Sequence, residues 1–559
     1  MIRGGRASRG FSFRPDPDGD GSFVPDQGAP IPVPAPDWDM ALELLRRFNA
    51  LRDSSGKRLC SILTEDGFEP WWYGQDRLLR FYLIPLTQLL PVWKAAEGSD
   101  RIRIMNAPPD FDRVLRAVCG NAGFPVLEDG RPRSKEGALG KTAMLAFSLA
   151  SLAAFRLARR DTVFYIIDHV SPGLCRDFRF DPLYGELDRR GFRYAEYAHT
   201  LSPRQALGNS FRRGRPVFFL ESADFWGRIS RTRVAVPKVE IPLGKAESIE
   251  DRALWALVPL VLQGAADSIA RQRILKRALR FQRVARALIF DDNRHNHELI
   301  AACLSLGIPV LGFQHGVFNK FHAGLMAYGF AGARPHAFDR YGVWSGLFRD
   351  RLLRNSALYG ADRVFVAGPV RPPQTTAAPS AAGADVLRVL VVSEPLARKR
   401  EAAAYLRPLA KDPEFELCLK LRPGESPSGL QEYGLSENRV RLLQTGTVYD
   451  AFAQVDVAVG TYSSVLYEAA LAGLPVVWLH TTRAYGRELM EEGLAEAAER
   501  PEDLPGVIRR AAALNESDRQ KRRERIWGGR IRDGSASLVE ALQQMGVAED
   551  KAKAGEDGG

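Results

Sequence analysis

The residues best placed to do chemistry lie in the last third of the sequence. The run VDVAVGTYSSVLYEAALAGLPVVWLH (455–480) is an apolar strand ending at Gly460, then Thr461, Ser463 and Ser464, then a helical pattern. Unpaired backbone N–H groups and hydroxyls at a helix start form an anion site. Glu468 follows Ser464 by four residues, so the two share a helix face. Hydroxyls for a phosphate and a carboxylate for ribose hydroxyls suit a nucleotide. The plain structural alternative is a well-capped helix whose Glu468 complements the helix dipole.

Upstream, FELCLKLRPGE ends a strand pattern with Lys420 and Arg422. Alternation puts both on one face, where they would meet phosphate charge. FQHGVFNKFHAG (313–324) places Gln314, His315 and Gly316 just after another strand. His315 could take a proton from a hydroxyl or steady a phosphate. Five of the eight histidines fall within 295–336. ALIFDDNRHNHE (287–298) sets Asp291, Asp292, His295 and His297 at a further strand end. A metal cluster is disfavoured, because i and i+2 diverge on a helix and no HExxH spacing occurs. Asp292 as a base, or as a hold on an acceptor, is preferred.

Such groups need strand ends to carry them, and the sequence supplies two sets. RIRIMN (101–106), VFYIID (163–168), FRYAEY (192–197), PVFFLES (216–222), ALIFDD (287–292) and IPVLGFQHG (308–316) alternate with helical patterns. After the breaker-rich RPPQTTAAPSAAGAD (371–385), VLRVLVVSEP, FELCLKLRP, VRLLQ, VDVAVG and LPVVWLH repeat the grammar. The expectation is an α/β protein with two Rossmann-like doubly wound domains, 38–370 and 386–546, facing across a cleft. Residues 371–385 would link them. A helical extension from Trp38 to Trp93 would precede the first sheet. Residues 1–37 and 547–559 read as a disordered arm and tail.

The 559 residues carry a net charge of +11, 45% hydrophobic and 26% charged residues. The basic balance suggests an anionic partner. Five scattered cysteines without a CxxC pair fit a reducing, cytoplasmic setting. The N-terminus lacks the apolar core of a signal peptide. No stretch was expected to reach the roughly 18 apolar residues of a membrane span. Thr142–Phe155, followed by RLARR, reads either as a buried helix or as a peripheral contact with anionic membrane at the inner face of the plasma membrane. GxxxxGK[ST], strand-borne GxGxxG and GxSxG motifs are absent, which argues against a P-loop NTPase, a typical dinucleotide dehydrogenase and an α/β-hydrolase. The basic residues are dispersed, so no nucleic-acid partner is expected.

At these residues the sequence resembles bacterial glycosyltransferases of the two-Rossmann-domain, or GT-B, kind. GTYSSVLYEAALAGLPVVWL is similar to their donor-site signature, and Gly368, Pro369 and Arg371 to the Gly-x-Pro turn ending the first domain. LKLRPGE resembles the K-x-HP-x-E stretch of capsule and sialic-acid or Kdo transferases. QHG, YSS and AFDRYGVW resemble CDP-glycerol-type transferases. The likeness covers about 285–500. It implies a metal-independent enzyme without a cofactor, moving a sugar from a nucleotide-sugar donor to a glycan or lipid-linked acceptor in surface polysaccharide synthesis. It also implies donor binding by Lys420, Arg422, Thr461, Ser463, Ser464 and Glu468, with His315 and Asp292 as catalytic candidates. Arg422 stands where the family has His and cannot donate a proton near neutrality. TEDG (64–67) resembles an acidic base motif of some sialyltransferases. A CDP-alcohol polyol-phosphate transferase, a nucleotide-sugar epimerase and a non-catalytic assembly protein remain alternatives.

Overall fold

The structure is a computed structural model. It describes residues 8–15, 21–127, 160–167, 177–199, 216–229, 234–240, 248–282, 284–290, 296–371, 386–392, 394, 399–421, 430, 433, 435, 440–443, 446–481, 486–528 and 531–556, with parts of a helix over 148–157.

Three sheets organise the chain. The first is small and mixed: β1 (Ser8–Arg14), β2 (Ser22–Pro25), β3 (Ile31–Pro32), β4 (Arg101–Met105) and β5 (Val126–Leu127), in the order β3-β2-β1-β4-β5. Its presence corrects the reading of 1–37 as a disordered arm. Phe11, Phe13 and Phe23 bury one face against Phe111 of the helix Pro109–Val118. β1 pairs in parallel with β4, about ninety residues on, so local composition hides the partner. It also moves RIRIM out of the larger sheet, and makes the N-terminal extension mixed instead of helical. The helix Ile84–Ala95 packs on Pro109–Val118, and Trp38–Asn49 packs on Ile84–Ala95.

The second sheet holds β6 (Thr162–Ile167), β7 (Tyr194–His199), β8 (Val217–Phe219), β9 (Arg286–Phe290), β10 (Val310–Phe313), β11 (Arg340–Val343) and β12 (Val364–Val366). All are parallel, in the order β12-β11-β10-β9-β6-β7-β8. The third holds β13 (Leu387–Val392), β14 (Phe415–Lys420), β15 (Val440–Leu442), β16 (Val457–Gly460), β17 (Val476–Leu479) and β18 (Glu496–Ala498). It is also parallel, in the order β15-β14-β13-β16-β17-β18. Each sheet reverses direction of growth at one point, between β6 and β9 and between β13 and β16. Crevices at the carboxyl ends form at such points. The protein is therefore α/β with two Rossmann-like doubly wound sheets.

The last helix, Gly534–Glu556, runs beyond the expected boundary at 546 and lies on the second sheet. Arg190 donates to Gln543 at 2.7 Å, and Arg286 to the Leu542 carbonyl at 3.3 Å. The chain thus crosses between the large sheets twice, and the crossings touch. The Gly534 N–H donates to the Pro369 carbonyl at 3.1 Å. A Cβ on Gly368, whose φ is 94°, would lie 2.2 Å from the Arg532 carbonyl oxygen, so no other residue fits there.

One helix, Ile249–Gln282, contradicts the expectation that nothing reaches span length. Its stretch Ile249–Arg280 is long and apolar enough to cross a membrane, yet 67% of the apolar window is buried inside the protein. It packs on the helices Asn296–Ser305 and Leu220–Ile229 as a core helix. Thr142–Phe155 lies mostly outside the described residues.

Candidate functional site

Core membership along the third sheet assigns its faces. Val389, Val391, Leu417, Leu419, Val457, Val459, Val477 and Leu479 share one core. Their neighbours Leu390, Val392, Cys418, Ala458, Val476 and Trp478 join the core that continues into the first half of the chain. By alternation Lys420 and His480 belong to this second face. Lys420 Nζ donates to the Gly446 carbonyl at 3.0 Å, and burial pushes its ammonium below the usual range.

The loop after β16 does not offer open N–H groups. Glu394, two residues past β13 across the switch point, has filled the cradle. Its Oε2 accepts from the Thr461 N–H at 2.8 Å and from the Thr461 hydroxyl. Its Oε1 accepts from the N–H groups of Tyr462 at 2.8 Å and Ser463 at 2.6 Å. Glu394 is 2% exposed, and burial raises its carboxyl above the usual range despite these bonds. The expectation that Thr461 and Ser463 bind a ligand anion through this loop is corrected: the protein's own carboxylate takes the donors. Ser463 is the N-cap, its hydroxyl accepting from the Val465 N–H at 3.2 Å. Trp478 Nε1 donates to the Thr461 carbonyl at 2.8 Å, fixing the loop from the other side.

Ser464 and Glu468 are partly exposed on the helix Ser464–Leu471. The Tyr449 hydroxyl donates to Glu468 Oε2 at 2.9 Å. Burial lifts the Glu468 carboxyl to about 6, with Tyr449 and the Arg371 guanidinium pulling it back. The charge of Arg371, at the end of the first crossing, thus reaches Glu468. Asp292 and Arg422 lie outside the described residues.

On the second sheet, Gln314 ties β10 to β11: its Oε1 accepts from the Trp344 N–H at 2.9 Å, and its carbonyl from the Trp344 indole at 3.0 Å. His315 is half-buried, its ring edge-on to Phe290 at 4.9 Å. Arg179 lies over the same Phe290 ring at 5.2 Å and chelates the buried Asp177 through Nε (3.0 Å) and Nη2 (2.6 Å). His297 has turned away from the cleft into the interior, stacked on Tyr73 and 4.8 Å from His336. Burial holds His336 well below the usual histidine range. In TEDG, Glu65 pairs with Arg273 at 2.7 Å. Burial alone would raise the Asp66 carboxyl, but hydrogen bonds from Lys276 (2.5 Å), Ser305 (2.8 Å) and Gln272 outweigh it and lower it. Ser305 ends the helix that begins beyond β9, so Asp66 sits at the edge remote from the strands' carboxyl ends. In the structure TEDG serves as a tie between elements, away from the carboxyl ends of the strands.

The two halves meet through Arg351, buried on the helix Gly346–Asn355. Nη1 donates to the Phe318 carbonyl at 2.7 Å, and Nη2 to the Tyr467 hydroxyl at 3.3 Å and to Glu492. Phe318, Phe348 and Tyr467 follow one another edge-on and tilted, ring centres 5.5 and 5.9 Å apart. Phe318 lies three residues after His315, and Tyr467 just before Glu468. The QHG segment and the Ser464–Leu471 helix are thus joined in one interface.

No family model matches the chain, and no curated protein matches it. Solved structures do. A kitacinnamycin glycotransferase aligns with TM-score 0.43 and 14% identity over 69% of this chain and 99% of its own. MurG from Acinetobacter baumannii aligns at 0.42 and 13%, over 69% and 99%. A UDP-N-acetylglucosamine 2-epimerase aligns at 0.40 and 16%, over 68% and 95%.

Glu394, Tyr449, Arg179 and Arg351 escaped the sequence reading. Only Glu394 carried a usable signal, as a lone carboxylate ending the strand run VLRVLVVSEP.

Proposed function

We propose that the protein is a GT-B-type glycosyltransferase, moving a sugar from a nucleotide-activated donor to a glycan or lipid-linked acceptor. The observation that carries this reading is the convergence at the β13/β16 switch point. Glu468, one turn after Ser464, meets the Tyr449 hydroxyl and the charge of Arg371 beside a loop held by Glu394, Lys420 ends the neighbouring strand, and Arg351 joins that helix to the QHG segment. In this reading Glu468 takes the ribose hydroxyls, while the Ser464 hydroxyl, Lys420 and Arg422 take phosphate. His315 accepts the acceptor's proton or steadies a phosphate, with Asp292 the second candidate for the base. Meeting the departing phosphate charge is the largest catalytic contribution, and cations of the chain supply it without a metal.

The net charge of +11 suits a phosphate-bearing acceptor held at an anionic membrane surface on the cytoplasmic side. Surface polysaccharide synthesis is the process such an acceptor would serve.

A thermal-shift panel of CMP, CDP, UDP, GDP and their sugars tests the donor site. One base should stabilise the wild type, and Glu468→Ala and Ser464→Ala should each weaken that effect without lowering the unliganded melting temperature. Because a protonated Glu468 loses an acceptor, binding should strengthen as pH rises through about 6, and Glu468→Gln should flatten the profile. Unchanged donor binding in both alanine variants would sink the assignment.

A further inference from the structure

At the carboxyl edge of the third sheet, β17 and β18 end side by side and leave an imidazole touching a carboxylate. Leu479 pairs with Ala498, and the His480 N–H donates to the Ala498 carbonyl at 3.1 Å. The next residues, His480 and Glu499, are therefore lateral neighbours. Nδ1 of His480 lies 2.5 Å from Oε2 of Glu499, with the two side chains 49% and 55% exposed. The imidazole stacks on Trp478, ring centres 5.3 Å apart and planes 25° apart. Trp478 in turn holds the Thr461 carbonyl.

The ring is thus oriented by a carboxylate on one nitrogen and by an indole on one face. Nε2 has no hydrogen-bond partner among the described residues. Exposed ion pairs contribute little stability, and the backbone ladder already joins these strands. The carboxylate takes Nδ1–H, so in the imidazolium form the ring presents Nε2–H outward as its working donor. His480 is also the only histidine in the sequence after His336. The third sheet has no other imidazole to offer.

We propose that His480, oriented by Glu499, is a phosphate-contacting catalytic residue of the donor site, its protonated Nε2–H donating to a phosphate oxygen of a nucleoside diphosphate. The inference rests on the transferase reading. As the bond from the sugar carbon to the phosphate oxygen breaks, the electron pair stays on that oxygen. The charge-assisted hydrogen bond strengthens there without any proton having to move.

Isothermal titration of the full chain with CMP, CDP, UDP and GDP, and with cytidine, uridine and guanosine, tests it. The nucleotide that binds the wild type should bind His480→Gln about tenfold more weakly, the scale of one charge-assisted hydrogen bond. The matching nucleoside should bind both proteins alike. His480→Arg should recover most of the nucleotide affinity by restoring a cation, and Glu499→Gln should lose less than His480→Gln. Equal nucleotide affinity in wild type and His480→Gln overturns this proposal and leaves the transferase reading standing. A parallel loss for nucleotide and nucleoside also overturns it, since the effect would then lie in the loop and not at phosphate. A wild type that binds no nucleotide overturns both.

Discussion

Glu394 shows how a side chain can remove a site that sequence patterning offers. Three N–H groups and a hydroxyl after β16 look like an anion cradle, and they are one, but the anion is a residue of the same chain. Leaving buried donors unpaired costs about 1–3 kcal/mol each. Glu394→Ala should therefore destabilise the second half of the protein by about 3 kcal/mol or more, with hydrogen exchange rising at 461–465. Inorganic sulfate should recover part of that loss in the variant and none in the wild type, because only the variant has a vacant cradle. An alanine variant that melts like the wild type would show that the carboxylate contributes nothing to the loop. Legibility at this scale was uneven. Ser464 and Glu468 were recognisable because helix spacing alone places them on one face. His315 was recognisable because it follows an apolar run. Glu394, Tyr449 and Arg179 were not, since each acquires its role from a partner on a separate element. The DDNRH segment misled for a related reason: His297 belongs to the helix after it and points inward, where Tyr73 and His336 enclose it.

At the scale of elements, what the sequence disclosed depended on whether hydrophobic patterning was local. The parallel strands of both large sheets are buried on both faces and show as continuous apolar runs, as LRVLVV in β13 and VAVG in β16 illustrate. The short strands β11, β12 and β18 were passed over because three or four residues such as RYGV or EAA make no run. The N-terminal sheet was missed because its apolar residues are spaced singly among Gly, Pro and Arg, and its central partner β4 arrives after an intervening helical stretch. That difference is testable. A disordered arm can be removed without effect, whereas deletion of residues 1–36 here strips Phe13 and Phe23 from Phe111 and takes Phe11 out of the same core. Burying one Phe contributes about 1.5–3 kcal/mol, so the truncated protein should unfold at markedly lower denaturant concentration or aggregate on expression. Wild-type stability after truncation would return these residues to the status of an appendage. Phe23→Ala, expected to cost about 3–5 kcal/mol, checks the same packing without shortening the chain.

Across the whole molecule the two Rossmann-like halves are joined by two kinds of contact. One is the paired crossing at Gly368 and Gly534, where backbone lies on backbone. The other is Arg351, which pins the interface from within. Its guanidinium holds a carbonyl of the first half and a hydroxyl and carboxylate of the second, so any relative movement of the halves must break or carry these bonds. Around it the charge is balanced closely: burial raises the Glu488 carboxyl to about 7, and Arg351 pulls it back. Removing the cation leaves Glu492 without its partner, a change that costs about 3–5 kcal/mol where the pair is buried. Arg351→Met should therefore raise deuterium uptake in two segments together, 315–320 and 464–471, although they belong to different halves. Arg351→Lys keeps the charge but cannot reach three acceptors from one planar fork, so its uptake should fall between the other two. If the interface is a coupling, nucleotide affinity of Arg351→Met should stay near the wild-type value while turnover falls, because the donor groups remain in one half and lose only their alignment with His315. Increased exchange confined to one segment would mean that the halves are independently held and that Arg351 serves only the packing around Phe348.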